Sequence, residues 1–283
     1  MPYGVTNAGG QVQRDIVKTL LLSANQAGIC YLDTAQAYGD AELVLGRCLP
    51  FEHSFKIMSK LGHQHKSQFC KEDVIQWNDS FRQSLQNLAL PSLDGFLVHS
   101  TLELAKPGAS FLVDWLHSLK DQGLVRRIGL SIYESADLSE ANLSDFDLIQ
   151  LPLSLYDQRM LRDGTLDYLQ GLRIDIHVRS VYLQGLLLAP SRQWPEWISE
   201  EAKAHHQKLE RLSSHLGCSL LDLALQFVRS LEAVEAVVLG VCDPTQLDAL
   251  LQAWAGPSLP SSLVWKEWAM PDQAILDPRS WPR

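Results

Sequence analysis

The stretch YLDTAQAYGD, Tyr31 to Asp40, runs an apolar segment into Asp33, continues with small residues, sets Tyr38 five positions later and turns on Gly39. A carboxylate closing a strand and a phenol in the loop behind it can do proton chemistry only with help. A phenol of reference pKa about 10 is a poor acid at neutral pH unless a neighbouring cation stabilises its anion. Lys60, in the later stretch SKLG, can be that cation, and a buried ammonium needs a carboxylate such as Asp33 to stay charged. Each residue also has a plainer role. An Asp that ends a strand often makes an Asx turn or cap, and a lone loop Tyr often packs with a wet hydroxyl.

The elements that must position these groups are legible as a repeating pattern. Short apolar, β-branched runs occur at ICYLDT (29–34), FKIMSKL (55–61), GFLVHS (95–100), RRIGLSIY (126–133), DLIQLPLS (147–154), DIHVRSVYL (175–183) and AVEAVVLG (233–240). Between them lie helical spacings such as RDIVKTLLLSANQAG, EDVIQWNDSFRQSLQNL, FLVDWLHSLKDQG and AKAHHQKLERLSSHLG. Near-continuous apolar strands alternating with amphipathic helices predict a parallel sheet covered on both faces. An open doubly wound sheet and a (β/α)8 TIM-type barrel both satisfy this; the G-x-G-x-x-G that usually marks the former is absent. Gly28, Gly123 and Gly217 are placed as C-terminal stops for helices. No Pro/Gly/Ser-rich linker divides the chain, so residues 1–283 are expected to form a single domain, with 256–283 an irregular tail wrapping the outside or covering one mouth.

In a barrel the chemistry gathers where strands end. Here the ends carry Asp33 with Tyr38 in its loop, Lys60, His99, Ser131, Gln150 and the pair Arg179–Ser180. In that order, LDTAQAYGDAELVLG, SKLG, LVHS, IGLS and IQLP resemble the strand-end motifs of the aldo-keto reductase superfamily, and VRSVYLQGLLL and PTQLDALL continue the likeness.

The resemblance implies an NAD(P)H-dependent oxidoreductase that reduces an aldehyde or ketone by hydride transfer. Tyr38 is then the general acid, Lys60 and Asp33 adjust its pKa, and His99 donates to the carbonyl oxygen. Ser131 and Gln150 match positions that hold the nicotinamide carboxamide, and Arg179, Ser180, Gly240 and Gln246 match other cofactor-binding positions. NADPH is the family expectation. Relatives usually carry Asn where this chain has Ile132, an aromatic ring where it has Arg179, and Lys or Arg for the 2'-phosphate where it has Gly240, Cys242, Gln246, Ala249 and Leu250. NADH is therefore an open alternative. Relatives also begin with an apolar strand that is missing before Tyr3-Gly4 here. The expectation is a barrel lacking its first strand, with the slot beside residues 29–34 empty or taken by the N-terminal stretch.

At 283 residues and 46% hydrophobic, the chain can bury a full core, and its formal net charge of -9 disfavours nucleic acid as a partner. Five cysteines with no C-x-x-C, no leader pattern and no apolar run near the roughly 20 residues of a membrane span predict a cytoplasmic protein with a small carbonyl substrate. Metal is not expected: His63-x-His65 and His205–His206 are taken as solvated loop and helix-face histidines. Trp265, Trp268 and Trp281 fit either pocket lining or tail packing. Two rival functions stand beside the first: a reductase-like nucleotide-binding or regulatory protein with little turnover, and, more weakly, a sugar isomerase on the same barrel.

Overall fold

The computed structural model describes residues 11–256, 259–260 and 262–282. All seven apolar runs form strands: β1 (Tyr31–Asp33), β2 (Lys56–Leu61), β3 (Leu93–Val98), β4 (Val125–Ser131), β5 (Leu148–Pro152), β6 (Asp175–Arg179) and β7 (Ala236–Val237). They make one parallel sheet in sequence order, β1 to β7. The helices between them are α1 (Arg14–Gln26), α2 (Ala41–Cys48), α3 (Asp73–Leu88), α4 (Ala109–Asp121), a single turn α5 (Arg159–Arg162), α6 (Thr165–Gly171), α7 (Glu200–Leu216), α8 (Leu220–Arg229) and α9 (Pro244–Ala255). Among the described residues no helix is long and apolar enough to cross a membrane.

Side-chain alternation along the strands separates two apolar regions. Outward-facing residues such as Ile57, Phe96, Ile128 and Ile149 join the helices in the main core, where Trp77, Phe81, Phe96 and Trp115 meet edge to face or tilted. Met58, Leu97 and Leu148 form a separate small plug with Tyr31. The plug fits because two of its strand neighbours are glycines. A Cβ on Gly95 would stand 1.8 Å from the Met58 methyl, and one on Gly129 would stand 2.3 Å from the Leu148 carbonyl oxygen. Helix starts follow the sequence: Ser199 caps α7, Ser219 and Asp222 form a capping box on α8, and Asp243 caps α9 ahead of Pro244. Gly28, Gly123 and Gly217 all hold positive φ just past helix ends, as read from the sequence.

Among the described residues the barrel has seven strands, with β1 and β7 as its edges. Among the described residues β1 pairs with β2 alone and β7 with β6 alone. Residues 1–10, the other expected occupant of the slot, lie outside the described residues. Below the two edges, side chains reach from one edge region to the other. The Tyr31 hydroxyl donates to Glu235 at 2.6 Å. Arg127, 5% exposed, donates to Glu235 at 2.9 Å and to Asp175 and Asp94 at 2.6 Å each. The basic pair Arg126–Arg127 is thus part of the barrel floor. Arg126 lies outside and binds the other oxygen of Asp94 at 2.7 Å.

Candidate active site

At the end of β1 the chain leaves the sheet through Thr34, whose N–H still donates to Met58, and folds into a turn in which the Tyr38 N–H donates to Ala35. Gly39, at φ +63°, makes the reversal that an L-side chain would resist, and α2 opens two residues later. The loop is therefore fixed at both ends with Tyr38 held between them.

Lys60 reaches this loop from β2. Its neighbour Ser59 donates outward to Glu42 of α2 at 2.6 Å, so alternation sends Lys60 inward. There it is 1% exposed, with Nζ 2.5 Å from Asp33 Oδ2, 2.9 Å from the Thr34 carbonyl oxygen and 5.4 Å from the centre of the Tyr38 ring. The other carboxylate oxygen of Asp33 accepts from Gln150 Nε2 at 2.7 Å. Both oxygens of Asp33 are engaged, and the carboxylate cannot swing away from Lys60 without giving up Gln150.

Burial lowers the pKa of Lys60, and the charge and hydrogen bond of Asp33 act against that fall. His99, at the end of β3, stands edge-on to Tyr38 with ring centres 5.8 Å apart. Burial, followed by the positive charges of Lys60 and Arg179, pushes its pKa down to about 4. At neutral pH it is an uncharged imidazole, able to donate one hydrogen bond.

A cavity of about 910 Å³ opens over this group. Asp33, Tyr38, His99, Ser131, Gln150, Arg179, Ser180, Gly240 and Gln246 line it, with Lys60 beneath, so the ten residues read from the sequence come together at one mouth. Ser131 and Gln150 sit side by side as register partners on β4 and β5. At the far end the Gln246 side-chain oxygen accepts from the Cys242 N–H at 2.8 Å, and its own N–H donates to Asp243 at 2.9 Å. Arg179 lines the same cavity. It donates to the Ile132 carbonyl at 2.8 Å and lies over Tyr133, 4.1 Å from the ring centre.

Several lining residues carry no signal in a strand-end reading. Tyr182 donates to the Gly240 carbonyl and ties the segment after β6 to the loop after β7. That segment holds Ser180, Leu183 and Gln184 at positive φ beside Gly185. Pro278 and Arg279 enter from the tail, which covers one mouth, docked through Gln158 to the Trp265 carbonyl at 2.9 Å and Met270 to the Tyr156 carbonyl at 3.0 Å. The tryptophans themselves pack: Trp265 against Phe227 and Trp281 against Trp197. One histidine reading needs correction: His206 is fully buried and hydrogen-bonded to Tyr156 at 2.5 Å. His63 is an exposed loop residue, as read, and pairs with Glu103 at 2.9 Å. A polar partner supplied from 40 residues away leaves no local pattern.

Residues 1–265 match the model of the aldo/keto reductase family. The chain is similar to the NADH-specific methylglyoxal reductase of Escherichia coli (strain K12), 23% identical over 274 residues that cover 84% of this chain and 82% of that protein. Among solved structures it resembles the holo form of an aldo-keto reductase from Bacillus halodurans, with TM-score 0.74, 22% identity and coverage of 92% and 89% of the two chains. The glycerol dehydrogenase of Gluconobacter oxydans gives TM-score 0.68 at 20% identity, over 89% of this chain and 82% of that one. With a strand-end tetrad at one mouth of a parallel barrel and a family match across nearly its whole length, the chain belongs to the aldo/keto reductase family.

Proposed function

We propose that this chain is an NADH-dependent reductase of an aldehyde or ketone carbonyl, with Tyr38 as the general acid. The observation that carries this reading is Lys60, buried at 2.5 Å from Asp33 and 5.4 Å from the Tyr38 ring centre. NAD(P)H-dependent carbonyl chemistry is the family's, and a nicotinamide nucleotide bound in the cavity would supply the hydride.

The lining residues fit such a nucleotide. Ser131 and Gln150 are buried neighbours facing the cavity, and since Gln150 commits its amide nitrogen to Asp33, its carbonyl oxygen is the atom it can offer a carboxamide N–H. Neutral His99 donates to the substrate carbonyl oxygen and orients it. Tyr38 gives that oxygen its proton as negative charge develops there, and the ammonium of Lys60 steadies the phenolate that remains. Asp33 keeps Lys60 charged in a place where burial would otherwise strip its proton.

The choice of NADH rests on the far end of the cavity. Gly240, Cys242, Gln246, Ala249 and Leu250 line it among the described residues, and the N-terminus of α9 is already capped by the Asp243 carboxylate. A 2'-phosphate would bring about two negative charges to a lining with no Lys or Arg. The NADH specificity named for the Escherichia coli relative supports the same choice. Tryptophan-quenching titrations with both nucleotides test it, and tighter binding of NADPH would overturn it. Tyr38→Phe should slow single-turnover reduction by about 10²-fold or more while nucleotide binding is kept. A Phe variant as fast as the parent would remove Tyr38 from the chemistry.

A further inference from the structure

Between Asp33 and Tyr38 the loop reads Thr34-Ala35-Gln36-Ala37, so Gln36 carries its one long side chain. Ala37 and Tyr38 line the cavity, whereas the Gln36 amide turns the other way, toward the end of β2 and α3.

The backbone leaves the sheet by steps that can be followed. The Thr34 N–H donates to the Met58 carbonyl oxygen at 2.8 Å and the Gln36 N–H to the Lys60 carbonyl oxygen at 3.1 Å, which carries the parallel ladder of β1 on β2 past Asp33. In such an evenly spaced ladder the next donor, the Gly62 N–H, belongs to the main-chain carbonyl of Gln36. It donates instead to the side-chain oxygen of Gln36, at 2.8 Å. The side chain thus holds the last rung, and the main chain is released there to turn, with the Tyr38 N–H closing back on the Ala35 carbonyl at 3.0 Å. Gln36 grips the backbone on both sides of Leu61, directly after Lys60.

The other end of the amide is received by α3. Along its buried stripe of Trp77, Phe81, Ser84 and Leu88 the serine is the polar exception, only 1% exposed. Its hydroxyl oxygen accepts from Gln36 Nε2 at 3.0 Å, and the Ser80 carbonyl oxygen is a second acceptor at 3.4 Å. A carbonyl can only accept and an N–H can only donate, so Ser80 and Gly62 together fix which way the amide faces. A buried serine in an apolar stripe and a glutamine in a loop of small residues explain each other.

We infer that Gln36 is a positioning residue for the candidate general acid, setting where Tyr38 stands relative to the Lys60 ammonium. That ammonium is 5.4 Å from the Tyr38 ring centre and donates to the Thr34 carbonyl oxygen at 2.9 Å. The loop is therefore tied at Thr34 by the lysine itself and at Gln36 by the amide, two residues before the phenol. Tyr38 as general acid is the reading on which this role rests for its chemistry; the place of the ring does not depend on turnover.

Gln36→Met removes the amide with little change of volume, whereas Gln36→Glu keeps an acceptor for the Gly62 N–H at a half-buried position that admits the charge. In the intact chain at saturating NADH, single-turnover reduction across a panel of aromatic and aliphatic aldehydes should slow about tenfold or more in Gln36→Met, since a misplacement of about 1 Å suffices for such a loss. NADH affinity should hold, Gln36→Glu should recover part of the rate, and Gln36→Met added to Lys60→Met should cost little further. With tyrosine labelled at the ring Cζ and no substrate present, the NMR signal of Tyr38, assigned by its loss in Tyr38→Phe, should move in Gln36→Met and return toward its parental place in Gln36→Glu. A Gln36→Met protein as fast as the parent, or a Gln36→Glu protein slower than Gln36→Met as a packing role would give, overturns the positioning role and leaves the reductase reading standing. Loss of NADH affinity that accounts for the slower rate overturns it too. If the parent reduces no aldehyde, the reductase reading falls and the Tyr38 signal decides: displacement in Gln36→Met with return in Gln36→Glu sustains the placement, and an unmoved signal sinks it.

Discussion

Asp33→Asn is the most informative single change, because it is nearly isosteric and removes one charge from a buried pair. In the parent, Lys60 is 1% exposed and meets the carboxylate at 2.5 Å, with the Thr34 carbonyl at 2.9 Å as its other acceptor. Breaking such a pair by neutralising one partner typically costs about 3–5 kcal/mol, because the surviving charge stays buried. A buried lysine can escape that cost by releasing its proton, the direction in which burial already drives Lys60. The ammonium beside Tyr38 is then lost at neutral pH. The cation that would steady the phenolate is gone, and reduction should slow by about 10²-fold or more. Lowering the pH restores the proton on Lys60, so the variant's rate should rise as the pH falls, opposite to any loss caused by unfolding. Stopped-flow single-turnover rates between pH 5.5 and 8 read this directly, with Lys60→Met as a reference. Asp33→Asn on top of Lys60→Met should cost little further rate, because the carboxylate acts through the ammonium. A variant with the parental rate at neutral pH, or additive losses in the double variant, would refute the chain from Asp33 through Lys60 to Tyr38.

The acid limb of the kcat/KM profile belongs with His99. Its pKa of about 4 means the imidazole stays neutral through the weakly acidic range, so no loss near pH 6.5 is expected from it, and a limb at that value would show it titrating normally. Stability should follow the same sign. His99, His177 and His206 all have pKa values lowered by burial, His99 to about 4, so in the window below about 6.5 the unfolded chain binds more protons. Urea midpoints should fall as the pH drops through that window and level off above it; midpoints that rise on acidification would contradict the buried neutral histidines. Arg127→Met should cost about 3 kcal/mol or more, since it leaves Asp94, Asp175 and Glu235 facing one another below β1 and β7. A loss under about 1 kcal/mol in urea unfolding would show the three carboxylates held by other means.

The strands and the candidate residues at their ends were legible because both are local patterns. A strand buried on both faces needs a continuous apolar run, so each of the seven runs announced itself, and the strand ends then named Asp33, Lys60 and His99 without knowledge of the third dimension. Tyr38 was legible through the resemblance that LDTAQAYGDAELVLG carries, since a lone loop Tyr read by itself is more often a packing residue. The contacts between the two edge regions were not legible: Tyr31 and Glu235 are 204 residues apart, and neither has a neighbour that marks it as a partner.

The same distinction governs the wall of the cavity. Arg179 was read as a cofactor contact because its position in the chain falls where relatives put a ring, and it does line the cavity. What the sequence did not show is its neighbours: Tyr133, two residues past the end of β4, and Arg279, which the tail delivers from 100 residues beyond Arg179 and which also lies over the ring of that tyrosine. Strand ends therefore bring the candidate residues to one mouth, while the makeup of the wall around them depends on where an aperiodic tail comes to rest.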